Sequence, residues 1–185
     1  MKVRSLKLDS LSEAEGKLLL AIGNGNANSI WEAGTGMQKG WEKPKGGDGR
    51  KAKEEWIKSK YLWRGFLQYS DSDGKTHSER EDKFSGDLFD AAKKGDILGI
   101  ASALAHGASP NWQNPNENGR TALHECALLK RNEGVDWKGI ECAELLLQNG
   151  AKLDIRDNSS HGVLDSAVIG NADREMIEYL SMKIA

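Results

Sequence analysis

Leu18, Leu19, Leu20 and Ile22 make the apolar run of a first predicted helix. Ser10-Leu11-Ser12-Glu13 ahead of it reads as a capping box, with Ser10 on the N3 amide and Glu13 reaching back. Gly23-Asn24-Gly25 stops that helix, because Gly and Asn take the left-handed C-cap cheaply. A short second helix is predicted over 27–33, with Ile30 and Trp31 buried. Residues 34–49 hold six glycines and Pro44 with lysines between them, which predicts a loop. Asp48 can cap the next helix, over roughly 50–67, where Trp56, Ile57, Lys60, Tyr61 and Trp63 recur at three- and four-residue steps. Residues 68–86 are Ser, Asp, Lys and Glu around one central Gly, the composition of a mobile linker.

From Asp87 the texture changes. An amphipathic helix runs through Leu88, Phe89, Ala91 and Ala92 to Gly95, and a second runs over 97–105 and closes on His106-Gly107-Ala108. A third opens at Thr121-Ala122-Leu123-His124. A fourth covers 142–148 and closes on Asn149-Gly150-Ala151. A fifth begins near Val163 and a sixth near Asp173. Self-comparison shows a repeated unit: His106-Gly107-Ala108-Ser109-Pro110-Asn111 and Asn149-Gly150-Ala151-Lys152-Leu153-Asp154 are one element, with Gly119-Arg120-Thr121-Ala122-Leu123-His124 between them.

Composition sharpens this only in places. The 185 residues carry 26 Lys+Arg and 28 Asp+Glu, a net charge of −2, so the chain as a whole has no polyanion-binding footprint. The halves differ: residues 1–66 sum to +5 and 67–185 to −7. The basic segment either faces an anionic surface or is simply solvated. A hydrophobic content of 38% and a mean hydropathy of −0.62 are low for a compact domain, and imply exposed loop or a core that another segment completes. No apolar run reaches membrane-spanning length, and Lys2-Val3-Arg4-Ser5-Leu6 is not a signal core. Two cysteines, Cys126 and Cys142, make no disulfide framework, so a reducing, cytoplasmic home is the default.

The repeated unit is similar to the ankyrin repeat, G-x-T-P-L-H-x-A through L-L-x-x-G-A-x-x-N/D. Its structural motif here is Gly119, Thr121, Leu123, His124, Gly150 and Ala151. Thr and His tie the helix start to the loop, small residues let helix pairs stack, and Gly-Ala turns the chain into the next unit. Three repeats are expected, at about 87–115, 116–153 and 154–185. An insertion at 130–139 interrupts the middle one. The last is degenerate, with Ser160, Gly162 and Asp165 where the turn Gly, the Thr and the His belong, as suits a cap whose outer face meets water.

The first segment has a resemblance of its own. Val3-Arg4-Ser5-Leu6-Lys7-Leu8-Asp9, then Gly23-Asn24 with Asn28, Trp31-Glu32-Ala33, then Lys43-Pro44, then Trp56-Ile57 with Lys60-Tyr61, resembles the second half of an Arf GTPase-activating domain. With the ankyrin repeats following, including Ala105-His106-Gly107-Ala108 and Asn111-Trp112, the order resembles the Arf-GAPs that carry coiled-coil, ankyrin-repeat and pleckstrin-homology domains. Two departures stand out: Leu11 where the subfamily usually has Trp, and a loop at 34–49 richer in glycine. The implied fold is all-α: an Arf-GAP remnant at 1–67, a linker at 68–86 and ankyrin repeats at 87–185.

That resemblance implies a GTPase activator for Arf-family proteins in membrane trafficking, cytoplasmic and peripheral at endosomes or the plasma membrane. In the family the domain opens with a four-cysteine zinc finger followed by an arginine finger, worth roughly 10³–10⁵ in rate in other GTPase systems. Here no Cys precedes Cys126, and the arginine would lie upstream of Met1; Arg4 sits in the Arg-Ser-Leu element instead. These 185 residues are therefore expected to be inactive alone, with no cofactor of their own. The alternative is an ankyrin interaction module without GTPase-activating activity. By the resemblance Leu8 and Asp9 face the GTPase; a core Leu and a turn-capping Asp would equally explain them.

The basic run Lys39, Lys43, Lys45, Arg50, Lys51 and Lys53 could meet an anionic membrane or an acidic GTPase surface, or be a solvated loop. Trp41, between Gly40 and Glu42, could serve as an exposed binding anchor. As half a domain, residues 1–66 are expected to be marginal by themselves or to dock on the first ankyrin helices, since a half domain exposes the apolar face its other half would cover. Other chemistries are excluded by spacing. The Cys and His residues lack C-x₂-C or paired-His ligand spacing, and His124-Glu125-Cys126 lacks the P-C-x-x-C of a deaminase. Gly23-x-Gly25 and Gly34-x-Gly36 lack the residues that hold phosphate, and there is no G-x-S-x-G.

Overall fold

The computed structural model describes residues 10–37, 42–70, 73–74, 76–131 and 137–184. They form eight α-helices: α1 (Glu13–Trp31), α2 (Arg50–Ile57), α3 (His77–Lys94), α4 (Ile97–His106), α5 (Ala122–Ala127), α6 (Gly139–Gln148), α7 (Val163–Ile169) and α8 (Arg174–Ile184). The described residues contain no strand, only one antiparallel bridge between Asn114 and Arg120.

Helices α3 to α8 stack as three antiparallel pairs. Each pair turns at a left-handed glycine or at a short loop: Gly95 caps α3 and Gly107 caps α4, at φ 68° and 103°, where a Cβ is disfavoured. Leu88, Ala92, Ile100, Leu123, Cys126, Ala127, Cys142, Ala143, Leu146, Met176 and Leu180 close one continuous core through the stack. The small residues among them allow close helix approach, as the ankyrin pattern requires.

Helix α1 is two helices joined at Gly23, whose φ of 64° and ψ of 161° break the helical path. The Gly-Asn-Gly stop signal therefore acts, but as a kink. The cap lies two residues later than expected: Ser12 Oγ accepts from Glu15 N–H (3.2 Å) and Glu15 accepts from Ser12 N–H (2.8 Å). Ser12-x-x-Glu15 satisfies the same box as Ser10-x-x-Glu13, and only the three-dimensional register separates them. Asp48 does not cap α2; its carboxylate accepts from Lys45 N–H (2.6 Å), and Gly49 is the cap residue. Helix α2 runs on into a π-helical turn, Lys58–Leu62, and ends there rather than at 67.

Residues 68–86, expected as a mobile linker, take another form. Thr76 and Glu79 make a reciprocal capping box that starts α3 at His77. Ahead of it Asp73 is buried, accepts from Ser70 N–H (2.6 Å) and lies 3.4 Å from Lys83 Nζ. Phe84, inside the expected linker, is buried with Tyr69 edge-on and His106 stacked at 4.7 Å. The segment is polar enough to look unstructured, yet a single buried aromatic and one box suffice to anchor a helix that carries on into the solenoid.

The described residues of the N-terminal segment do not close a core of their own. Trp56 stacks on Phe66 (4.4 Å) and Leu67 is buried beside them, but Leu19, Leu20, Ile57, Leu62 and Trp63 stay exposed. Leu18, the one fully buried residue of α1, belongs to the ankyrin core. Helix α1 docks on α4 of the first repeat, as expected, and also on α6 of the second.

Candidate functional site

Three places in the molecule gather chemically distinctive side chains. The first unites fragments that lie far apart in the N-terminal sequence. After the break at Gly23, the second half of α1 presents Asn28, Trp31 and Glu32, and the π-helical turn presents Lys60 and Tyr61. Lys60 Nζ donates to Asn28 Oδ1 (2.5 Å) and to Glu32 Oε1 (2.7 Å), and it is only 4% exposed. Lys43 Nζ reaches the other oxygen of Glu32 at 2.8 Å. Trp31 and Tyr61 meet edge to face at 5.1 Å. Burial pushes the Glu32 carboxyl up, but the hydrogen bonds and charges of Lys43 and Lys60 outweigh it and hold the group below the usual carboxylate range. Gly34 closes the cluster: its N–H donates to Phe66 O (2.7 Å), and a Cβ there would sit 3.1–3.2 Å from the Leu67 and Phe66 carbonyl oxygens.

Lys43 is thus partly committed to an internal pair. Of the other expected anion-facing residues, Arg50 pairs with Glu54 (2.6 Å) and Lys53 Nζ donates to Gly46 O (2.7 Å). Lys45 and Lys51 are exposed. Leu8, Asp9, Lys39 and Trp41 lie outside the described residues.

The second place is the cleft where the two halves meet. About 720 Å³ lies between α1, Tyr61 and Arg64 on one side and Ala101, Leu104 and Leu145 on the other. That is within the range of ligand clefts, with mostly aliphatic walls.

The third is the loop side of the ankyrin stack. Thr121 N–H donates to His124 Nδ1 (3.2 Å), and the Thr121 hydroxyl lies 2.9 Å from the same nitrogen. Nδ1 is therefore the acceptor, and Nε2–H donates to His161 O (3.3 Å) in the next repeat. Burial pushes the imidazole down, which agrees with this neutral tautomer. Asp165 fills the equivalent place in the third repeat, accepting from Gly162 N–H (3.0 Å), so the degenerate repeat keeps the bond with a different acceptor. Leu123 is buried in the core, Gly119 and Gly150 hold φ 67° and 93°, and Ala151 is buried behind the turn. The motif residues are all structural.

Sequence reasoning missed the charged group beside this motif. Lys93 and Arg120 both hold Glu117 (2.7 and 3.0 Å), and Arg120 Nε lies 2.9 Å from the buried Glu125 carboxylate without an aligned hydrogen bond. Burial raises the Glu125 carboxyl, against the pull of Arg120. Glu117, Arg120 and Glu125 lie within nine residues of one another, and the stacking of α3 on α5 adds Lys93. In the insertion, Arg131 pairs with Asp173 and Glu175 and lies over Trp137 (4.4 Å), tying the ends of that loop to α8.

The donor set does not fit the structural zinc ion that the family resemblance implies. Cys126 and Cys142 are both fully buried in the solenoid core, where each other's proximity and burial push the Cys126 thiol up. Among the described residues no three His, Cys, Asp or Glu side chains could share a metal ion.

Comparison with known proteins accounts for this arrangement. Residues 1–70 match the family model of the putative GTPase-activating protein for Arf, and residues 118–158 and 88–133 match two ankyrin-repeat models. The chain is 27% identical, over 91% of its length, to the chicken (Gallus gallus) Arf-GAP with coiled-coil, ANK repeat and PH domain-containing protein 2, and 25% identical over 91% to the human protein of that name. It is 31% identical over 83% of its length to Protein csx2 of Schizosaccharomyces pombe, of which it covers 14%. It spans about 30% of the length of the Arf-GAP relatives. The chain thus carries Arf-GAP sequence over 1–70 leading into an ankyrin array, the order in which its Arf-GAP relatives are similar to it.

Proposed function

We propose that this chain is the part of an Arf GTPase activator in which the ankyrin array holds the later half of the activating domain in place. The observation that carries this reading is the Asn28–Glu32–Lys60 cluster with its Trp31–Tyr61 contact. These are the residues through which the segment resembles the Arf-GAP family, and they converge on one built support. The partner is an Arf-family GTPase, met on the side of Leu8 and Asp9, with exposed Lys45 and Lys51 available to an anionic surface. Membrane trafficking at endosomes or the plasma membrane is the setting the family resemblance implies. No described helix is long and apolar enough to cross a membrane.

Acceleration of hydrolysis needs a cation on the transferring phosphate, and an arginine finger supplies roughly 10³–10⁵ in rate. Arg50 makes an exposed pair with Glu54, Arg64 lines the cleft against the ankyrin layer, and neither stands where the family resemblance would put the arginine finger. These 185 residues by themselves are therefore expected to bind the GTPase without stimulating it. The test has two arms. Binding to an Arf-family GTPase is measured with GTP-analogue and GDP loaded, and single-turnover GTP hydrolysis is followed with the chain added. Binding without acceleration is the expected result. Acceleration would overturn the inactivity, and no binding in either nucleotide state would overturn the partner.

A further inference from the structure

His106, the last residue of α4, sits on the seam between the N-terminal segment and the array. Its two ring nitrogens meet two carbonyl oxygens. Nδ1 lies 2.8 Å from Ser102 O, one turn back on its own helix, and Nε2 lies 3.0 Å from Gln68 O, near the end of the Arf-GAP sequence. A carbonyl oxygen has no proton to give, so each contact is a hydrogen bond only where the nitrogen carries one. A neutral imidazole has one N–H, and only the imidazolium has two. This separates His106 from His124, whose Nδ1 accepts from Thr121 N–H and whose one remaining N–H is enough for His161 O.

We propose that His106 is a proton-dependent latch: as the imidazolium it ties Gln68 to α4, and on losing one proton it releases that tie. The geometry decides which of the two bonds is given up. The Ser102 bond is local to one helical turn and half-buried, whereas the Gln68 bond spans 38 residues and is exposed. The single remaining proton stays with the local bond, and Nε2 then turns a lone pair toward Gln68 O. Two acceptors at that distance repel, so the chain at Gln68 separates from α4. The array therefore grips the N-terminal segment more firmly in acid, whatever the GTPase partner.

The surroundings favour a cation at this place. The imidazole stacks on Phe84 at 4.7 Å, whose ring face attracts positive charge, and it stands at the C-terminal end of α4, the negative end of the helix dipole. Tyr69 meets it edge to face at 5.1 Å. Asp73 opens on the same small pocket as His106 and Ser102. Hydrogen bonds from Ser70, then Lys83, hold the Asp73 carboxyl below the usual carboxylate range against its burial, so it remains an anion. The other charges facing the seam are Lys83 over Phe84, which also pairs with Asp73 and Asp87, Arg80 over Tyr69 (4.8 Å), and Arg64 against Gly107. From α1 the pocket receives only uncharged side chains, such as Ser29 and Ile30. Lysine, arginine and an ionised aspartate keep their charge near neutrality. Among the described residues of the seam, His106 is thus the group that changes charge between about pH 5.5 and about pH 8.

Hydrogen exchange of the whole chain at those two pH values, corrected for the intrinsic rate, reads the latch through the amides of 64–70, with α6 as the reference for the array. A titration of His124 or His161 acts on the stacked repeats, and so on α6 as well. The expected result is that protection of 64–70 relative to α6 falls roughly tenfold from the lower pH to the higher, the scale of one hydrogen bond from a charged donor. His106→Phe keeps a ring against Phe84 but has no donor, and is expected to show the wild-type protection of the higher pH at both. His77→Gln alters an exposed side chain beside Glu81 on α3, and is expected to leave the response intact. Circular dichroism verifies the fold of both variants, and the wild-type comparison stands without them. A wild type whose relative protection does not change with pH overturns the proposal. So does a response that survives His106→Phe or vanishes in His77→Gln.

Discussion

Replacing Lys60 by methionine removes one charge and little volume from the centre of the N-terminal support. The ammonium it deletes is buried and has two acceptors, Asn28 Oδ1 at 2.5 Å and Glu32 Oε1 at 2.7 Å. Breaking a buried pair by removing one partner costs about 3–5 kcal/mol, because the other charge is left uncompensated. Two features reduce that figure here. Glu32 keeps Lys43 at 2.8 Å, and its side chain retains 15% exposure. The expected loss is about 2–3 kcal/mol at neutral pH.

The pH dependence fixes the mechanism. The folded-state pKa of Glu32 lies below its unfolded value, so its contribution is present above the unfolded pKa and lost as pH falls through the folded one. In Lys60→Met the carboxyl loses a cation while burial continues to push it up. The gap between wild type and variant is therefore expected to be widest near pH 7 and to narrow toward pH 4, where Glu32 protonates in the variant. Urea denaturation at both pH values, followed by tryptophan fluorescence, measures it. A loss under about 0.5 kcal/mol at pH 7, or a gap that does not change with pH, would refute the claim that this cluster is a buried electrostatic support.

Other outcomes follow from the same geometry. His124→Ala leaves Thr121 N–H and the His161 carbonyl without their imidazole partner and opens a void in the core; a loss of about 2–4 kcal/mol in thermal or urea unfolding is expected. For Glu144, burial raises the carboxyl but hydrogen bonds from Lys183, Tyr179 and Gln148 outweigh it, so its pKa falls on folding. Its stabilisation is therefore present at neutral pH and lost on acidification, and Glu144→Gln is expected to lower stability at pH 7 and flatten the acid limb of a melting-temperature profile.

The repeat was legible because ankyrin stacking uses fixed local signals. Gly107 and Gly150 mark the turns, and Thr121 with His124 marks a helix start. Each signal acts within a few residues of itself. The start of α3 carried a local signal, Thr76-x-x-Glu79, but the burial of Phe84 against Tyr69 and His106 that anchors it exists only across the fold. Ser10 and Ser12 offer the same local chemistry for the cap of α1, and the fold uses Ser12. In the candidate site, Asn28, Trp31, Glu32, Lys60 and Tyr61 could be singled out by resemblance, but not their mutual contact or the burial of Lys60. In the Lys93–Glu117–Arg120–Glu125 group the last three residues are sequence neighbours, but the Lys93 contact and the burial of Glu125 exist only once two repeats meet.

The account rests on residues 10–70 and the ankyrin array folding as one unit, joined where α1 lies on α4 and α6. Hydrogen exchange of α1 in wild type and in Leu18→Asp tests this most directly, because Leu18 is the α1 residue buried in the shared core, with Ala14, Ala21 and Ile22 half-buried against it. The expected result is α1 protection comparable to that of α6 in the wild type, falling to near that of an open loop in Leu18→Asp while α5 stays protected. Unchanged protection of α1 in the variant would show that the segment is held by something other than the ankyrin layer, and would contradict the account.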